Sequence, residues 1–184
     1  MIHIAGIAGS LRKNSYNKWA LRAARQLVPD GAELEILPID EIPMYNQDIE
    51  EEQGDPDVVR AFKEKIRAAD ALLFATPEYN YSVPGVLKNA FDWASRPTGK
   101  SVLAGKPTAI MGASYGPYGT VRAQMSLRLS LGYVNALTLN KPDVFITFAE
   151  QKFDQDGNLT DARTREQIRA LLVALVEWTQ WLKR

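Results

Sequence analysis

Apolar residues in this chain fall into short dense runs, separated by segments in which they recur every three or four positions. The first run holds Ile2, Ile4 and Ile7 and is interrupted by Gly6 and Gly9, which predicts a strand breaking into a tight turn. A helix carrying Trp19, Leu21 and Leu27 follows. Pro29, Asp30 and Gly31 then make a turn, and residues 32–37 read as a second strand ending at Pro38. Residues 39–55 are expected to be a long polar loop holding Pro43, Met44, Tyr45, Asn46 and an acidic run at 50–52. Residues 56–69 predict a helix, with Val59, Phe62, Lys63 and Ile66 at helical spacing and Pro56 near its first turn.

Residues 71–76 are apolar throughout, as in a central parallel strand covered on both faces. A Pro- and Tyr-rich loop leads from them to a helix at 86–94, which buries Leu87, Phe91 and Ala94 and is expected to expose Lys88, Asn89 and Asp92. Residues 107–113 form the fourth strand, and residues 135–139 and 144–148 are short strand-like pieces. In segment 120–134 the odd positions from Val121 to Leu131 are apolar, which formally suggests a strand. Its length and its Ala, Gln, Met, Leu and Arg content favour a helix, apolar on all sides. One face would pack on the sheet and the other calls for a second partner, most simply another subunit. Asp156-Gly157 marks a turn, and the last helix, 161–182, stripes Ile168, Leu171, Leu172, Leu175, Thr179 and Leu182, with Trp178 and Trp181 packing beside them.

Strand and helix alternate from end to end. The expected fold is α/β: a three-layer sandwich around a five-stranded parallel sheet of order 2-1-3-4-5, in one domain spanning residues 1–184. Ligands of such sheets bind beyond the carboxyl ends of strands one and three. The polar loops after strands one, three and four all emerge there.

Composition narrows the chemistry. Acidic and basic side chains balance at 22 each, which disfavours nucleic acid or an anionic membrane as partner. There is no cysteine, which removes disulfides, thiolate nucleophiles and cysteine-held metal or iron–sulfur sites, and the one histidine, His3, lies within the first strand. Met1 leads directly into that strand, and no apolar run approaches the ~20 residues of a membrane span, so a soluble cytoplasmic protein is expected. Chemistry must come from carboxylates, hydroxyls or lysines, or be borrowed from a cofactor.

The loop after strand one has the makings of a phosphate cradle. Ser10, Ser15, Tyr16 and Asn17 place donors at the start of a helix, whose unpaired N–H groups and partial positive charge favour an anion, and Arg12 adds a planar fork. A third glycine is missing, so it is not the dinucleotide fingerprint; Lys13 lacks the glycine spacing of a triphosphate loop. Hydroxyls with a single Arg suit a terminal monophosphate, as on a mononucleotide flavin. A plain N-cap at Asn14 or Ser15 would explain part of the pattern with nothing bound. In the loop Pro77-Glu78-Tyr79-Asn80-Tyr81-Ser82, Tyr79 and Tyr81 can wall a flat heteroaromatic ring, and the N–H groups of Glu78 to Asn80 can reach its edge. Ser114 and Gly116 can complete that polar edge.

GSLRKNSYN at 9–17 and PEYNYSVPGVLKNAFDW at 77–93 resemble the two signature segments of the NADPH-dependent FMN reductase family, which includes bacterial quinone and chromate reductases. The resemblance runs over nearly the whole chain. It implies a flavodoxin-like fold, bound FMN, NADPH or NADH as co-substrate, and a homodimer or homotetramer with the flavin near a subunit boundary. By position it implies that Ser10, Arg12, Ser15, Tyr16 and Asn17 hold the phosphate, while Pro77, Glu78, Tyr79, Asn80, Tyr81 and Ser114 surround the isoalloxazine. The implied reaction passes a hydride from NAD(P)H to the flavin and then two electrons to a small acceptor such as a quinone, azo compound, chromate or free flavin, with no catalytic side chain. The alternative is a flavodoxin-type electron carrier, which usually carries a strongly acidic docking surface that this neutral chain lacks. A phosphoacceptor receiver domain would need acids where Gly9-Ser10 and Pro77-Glu78 stand.

Overall fold

The computed structural model describes residues 1–183. Its strands are β1 (Ile2–Ala8), β2 (Ala32–Leu37), β3 (Ala71–Ala75), β4 (Pro107–Ala113), β5 (Leu137–Thr138) and β6 (Val144–Ile146). Its helices are α1 (Tyr16–Leu27), α2 (Gln47–Gln53), α3 (Asp57–Ala68), α4 (Gly85–Ala94), α5 (Val121–Tyr133) and α6 (Ala162–Leu182). All pairings are parallel, in the order β2-β1-β3-β4-β5, with β6 also on β4. The expected order holds. The fifth place, however, is shared: β5 pairs with Pro107 and Thr108 at the start of β4, and β6 pairs with Met111 to Ala113 at its end. Between them lie Asn140, Lys141, Pro142 and Asp143, too polar and too turn-prone to continue the ladder.

Two apolar layers enclose the sheet. On one face α1 and α6 cover Ile2, Ile4, Leu73, Met111 and Val144; on the other α3, α4 and α5 cover Ile7, Leu72, Phe74 and Ile110. Strands β3 and β4 are buried along their whole length, which is why they read as unbroken apolar runs. Lys63 is fully buried on α3 yet paired with Asp55 at 2.6 Å, so the helical stripe tolerates it.

Two expectations are corrected. Residues 39–55 contain α2, a helix capped by Asn46 with no buried residue, so apolar periodicity was absent. It is tied down by Glu50, which accepts from Tyr45 at 2.7 Å and from Arg96 at 3.0 Å. Asn89 is buried, not exposed: its carboxamide receives the Tyr45 N–H at 2.7 Å and donates to the Pro43 carbonyl at 2.9 Å, beside Trp93 donating to the same carbonyl at 2.8 Å. Trp178 and Trp181 stack on each other at 5.3 Å, and Trp181 stays 58% exposed. Helix α5 does turn Ala123, Leu127 and Leu131 inward and leaves Met125, Leu129 and Tyr133 outside. No described helix is long and apolar enough to cross a membrane.

Candidate functional site

Three loops meet at the carboxyl edge of the sheet. The first leaves β1 at Gly9, whose N–H donates to the Ala75 carbonyl at 2.8 Å. A Cβ at Gly9 would lie 2.9 Å from the Leu87 side chain and 3.2 Å from Pro77, so glycine eases the close approach of the first and second loops there. Ser10 and Ser15 are buried. Ser15 caps α1, its hydroxyl oxygen accepting from the Lys18 N–H at 3.4 Å. The cap accepts through oxygen only, so its O–H remains a donor beside the amino end of α1.

Asn17 is otherwise engaged. Its carboxamide donates to the Ala113 carbonyl at 3.0 Å and accepts the Ala113 N–H at 2.9 Å. Strand β3 leaves the sheet at Pro77, and this side chain occupies the edge of β4 that a longer β3 would have paired. Asn17 therefore joins the cradle to β4, and what it offers an anion is its backbone N–H in the first turn of α1.

Tyr16 packs edge-on against Trp19 at 5.2 Å and against Tyr115 at 5.0 Å. Burial and then the hydrogen bond with Tyr115 raise the Tyr16 phenol above its ordinary range, while the Arg12 guanidinium, followed by Tyr16, lowers Tyr115. The Tyr16–Tyr115 ring contact brings the start of α1 against the loop after β4. That third loop is held by the Ser114 N–H on the Ile146 carbonyl at 3.0 Å and by the Ser114 hydroxyl on the Gly116 carbonyl at 3.2 Å.

The second loop is a tight hairpin. Tyr79 and Ser82 exchange both backbone hydrogen bonds at 3.0 Å, and the central residues Asn80 and Tyr81 have φ of 49° and 69°. Left-handed geometry is costly for a side chain as large as Tyr, about 1–3 kcal/mol, and has to be held by its surroundings. Arg122, near the start of α5, supplies the hold: its guanidinium lies 3.9 Å from the Tyr81 ring centroid and 4.2 Å from that of Tyr118. The Tyr79 N–H, expected to face a ligand, is consumed by the hairpin; among the described residues, those of Glu78 and Asn80 have no hydrogen-bond partner.

Glu78 turns its carboxylate away to α5. It accepts from the Arg122 guanidinium at 2.6 Å and from the N–H groups of Arg122 and Ala123 at 2.9 and 3.2 Å. Burial pushes its carboxyl up, but the bonds from Arg122 and Ala123 outweigh it and leave it below the usual range. The carboxylate caps a distant helix and locks the hairpin, leaving the backbone to face outward. Tyr115, Tyr118 and Arg122 were not singled out from sequence; the Arg122–Glu78 pair spans 44 residues, with no local signal.

The edge therefore offers an anion cradle of hydroxyls, helix amides and Arg12 beside exposed rings of Tyr79, Tyr81, Tyr115 and Tyr118. Its donor set, neutral and backbone-rich at one end and aromatic at the other, fits a phosphorylated planar ring such as FMN. Fold and edge together define a flavodoxin-like α/β protein of the mononucleotide-binding type. The model of the NADPH-dependent FMN reductase family matches residues 2–151, and the chain belongs to that family. It is 52% identical over 182 residues to an NAD(P)H-dependent FMN reductase of Pseudomonas aeruginosa, covering 99% of this chain and 97% of that protein. It is 42% identical to a 2-hydroxy-1,4-benzoquinone reductase of a Burkholderia species, covering 97% of each. Among solved structures, FerB of Paracoccus denitrificans, a flavoenzyme NAD(P)H:(acceptor) oxidoreductase, superposes with a TM-score of 0.89 at 35% identity over 98% of both chains.

Proposed function

We propose that this protein, acting as one domain, is an FMN-dependent NAD(P)H oxidoreductase that reduces quinones. The observation that carries the reading is the junction of the α1 cradle with the Tyr79–Ser82 hairpin at one sheet edge. Ser10, Ser15, Arg12, Tyr16 and the backbone N–H groups of Tyr16 and Asn17 hold the phosphate. Pro77, Glu78, Asn80 and Ser114 line the ring through their backbones, with Tyr79 and Tyr81 as its walls. Bound there, FMN supplies the chemistry, accepting a hydride from NAD(P)H and returning two electrons to the acceptor. The chain's own part is to orient the ring and favour negative charge on it, using Glu78 and Asn80 N–H groups fixed by the hairpin. No side chain need move a proton.

Such an open edge accommodates varied acceptors, so azo compounds, chromate and free flavin are expected to be reduced as well, and the use of cellular NAD(P)H supports a cytoplasmic location. The electron-carrier alternative is disfavoured by the balanced net charge, since such carriers are usually strongly acidic. A homodimer or homotetramer is supported by the outward Met125, Leu129 and Tyr133 of α5, adjoining the Tyr81 and Tyr118 rings through Arg122. The test is an absorption spectrum of the purified protein before and after anaerobic NADPH, followed by benzoquinone. A yellow protein that bleaches and then recovers its colour supports the reading; a colourless protein that takes up no FMN refutes it. Leu129→Asp tests the assembly, with a fall in sedimentation coefficient expected.

A further inference from the structure

Charge in this chain is balanced overall but not locally: no acid occurs before Asp30, while Arg12, Lys13, Lys18, Arg22 and Arg25 precede it. Lys18, Arg22 and Arg25 recur at helical spacing along one side of α1. They line a groove of about 570 Å³ between α1 and the end of β2, which Lys13 closes at the cradle end. Asp40 is its one acidic lining residue. Among the described residues none of these cations has a carboxylate within ion-pair distance: Lys18 donates to the Leu11 carbonyl at 3.2 Å and Arg22 to the Asp156 carbonyl at 2.6 Å. On the other face of the same strand the acids have partners, Glu35 pairing with Lys65 and Glu33 meeting the His3 imidazole. Apolar surface from Trp19, Ile36, Leu37 and Ile39 lines the groove between the cations.

We infer that this groove binds the phosphorylated adenosine group of an adenine nucleotide, its phosphates on Lys18, Arg22 and Arg25 and its flat base on the apolar lining. Cations without carboxylate partners around an apolar lining match a ligand that is anionic at one end and planar at the other. The groove shares Ser10 with the proposed flavin cradle, so two sources of the same chemistry are open to it: the adenosine half of the reducing dinucleotide, or a free adenine nucleotide acting on the enzyme. The inference rests on the flavoenzyme reading above only for the first source.

The probe is adenosine 2′,5′-bisphosphate, titrated calorimetrically into the FMN-loaded protein at low ionic strength. Binding is expected, weakening as salt is raised. Arg25→Gln should weaken it about tenfold and R22Q/R25Q further, with FMN content and the rate at saturating NADH unchanged. If the probe competes with NADPH and the variants raise the KM for NADPH at constant kcat, the dinucleotide is the source; inhibition not relieved by NADPH, with KM unchanged, identifies a free nucleotide. No binding to the wild-type holoprotein, or equal affinity in wild type and both variants, overturns the inference. Bleaching of the same sample by NADH keeps that failure separate from failure of the flavoenzyme reading.

Discussion

Asn17 is the position where one side chain joins the loop after β1, helix α1 and the sheet, and removing it has a calculable effect. In Asn17→Ala the Ala113 N–H and C=O, bonded at 2.9 and 3.0 Å, both lose their partner. The site is closed to water, Asn17 being 3% exposed and Ala113 likewise buried. An unsatisfied buried polar group costs about 1–3 kcal/mol, so two such groups imply a loss of roughly 2–6 kcal/mol against a total stability of about 5–15 kcal/mol. A chain of this length then melts about 5–15 °C lower. Urea unfolding of the FMN-free protein measures the stability term, and flavin fluorescence measures the accompanying loss of FMN affinity as α1 shifts from β4. Asn17→Asp sharpens the case: its carboxylate keeps the acceptor for the Ala113 N–H but sets a second acceptor against the carbonyl. It should be as unstable as the alanine variant at neutral pH and recover as the pH falls and the acid becomes a donor. A loss below about 0.5 kcal/mol in Asn17→Ala, within the range of an ordinary surface change, would refute the bridging role.

Arg12→Ala should weaken FMN binding roughly ten- to hundredfold by removing a charge-assisted phosphate contact, read by fluorescence titration; unchanged retention would remove Arg12 from the cradle. Glu78 and Glu50 both have carboxyls held below their ordinary 4.5, so the unfolded chain takes up their protons more readily and their contribution is present above pH 4.5 and lost as pH falls below it. Urea midpoints at pH 7, 5 and 4 should show that decline, with a shallower one in Glu78→Gln, which has already lost the Arg122 pairing at pH 7. Gly157→Ala should destabilise by about 2 kcal/mol or more, because φ is +76° and the new Cβ would overlap the Trp19 indole; urea unfolding checks it.

The order of strands and helices, the two buried central strands and the gathering of three polar loops at the carboxyl edge were legible in the sequence, because each rests on local periodicity and on glycine and proline punctuation. Period, read together with length and composition, also exposed the two-sided apolar character of α5. Helix α2 escaped because none of its residues is fully buried and it carries no apolar stripe, and Asn89 was misplaced because its partners, Tyr45 and Pro43, lie far back in the chain. The residues expected at the cradle and hairpin are where the motifs put them, yet the work each side chain does was not legible. Asn17 and Glu78 read as ligand contacts, but the fold engages one with Ala113 and the other with Arg122 and the amino end of α5. Local sequence determined which backbone turns form and which donors they carry; tertiary structure decided which donors remain available, since hydrogen bonds between segments 44 and 96 residues apart depend on how the layers meet.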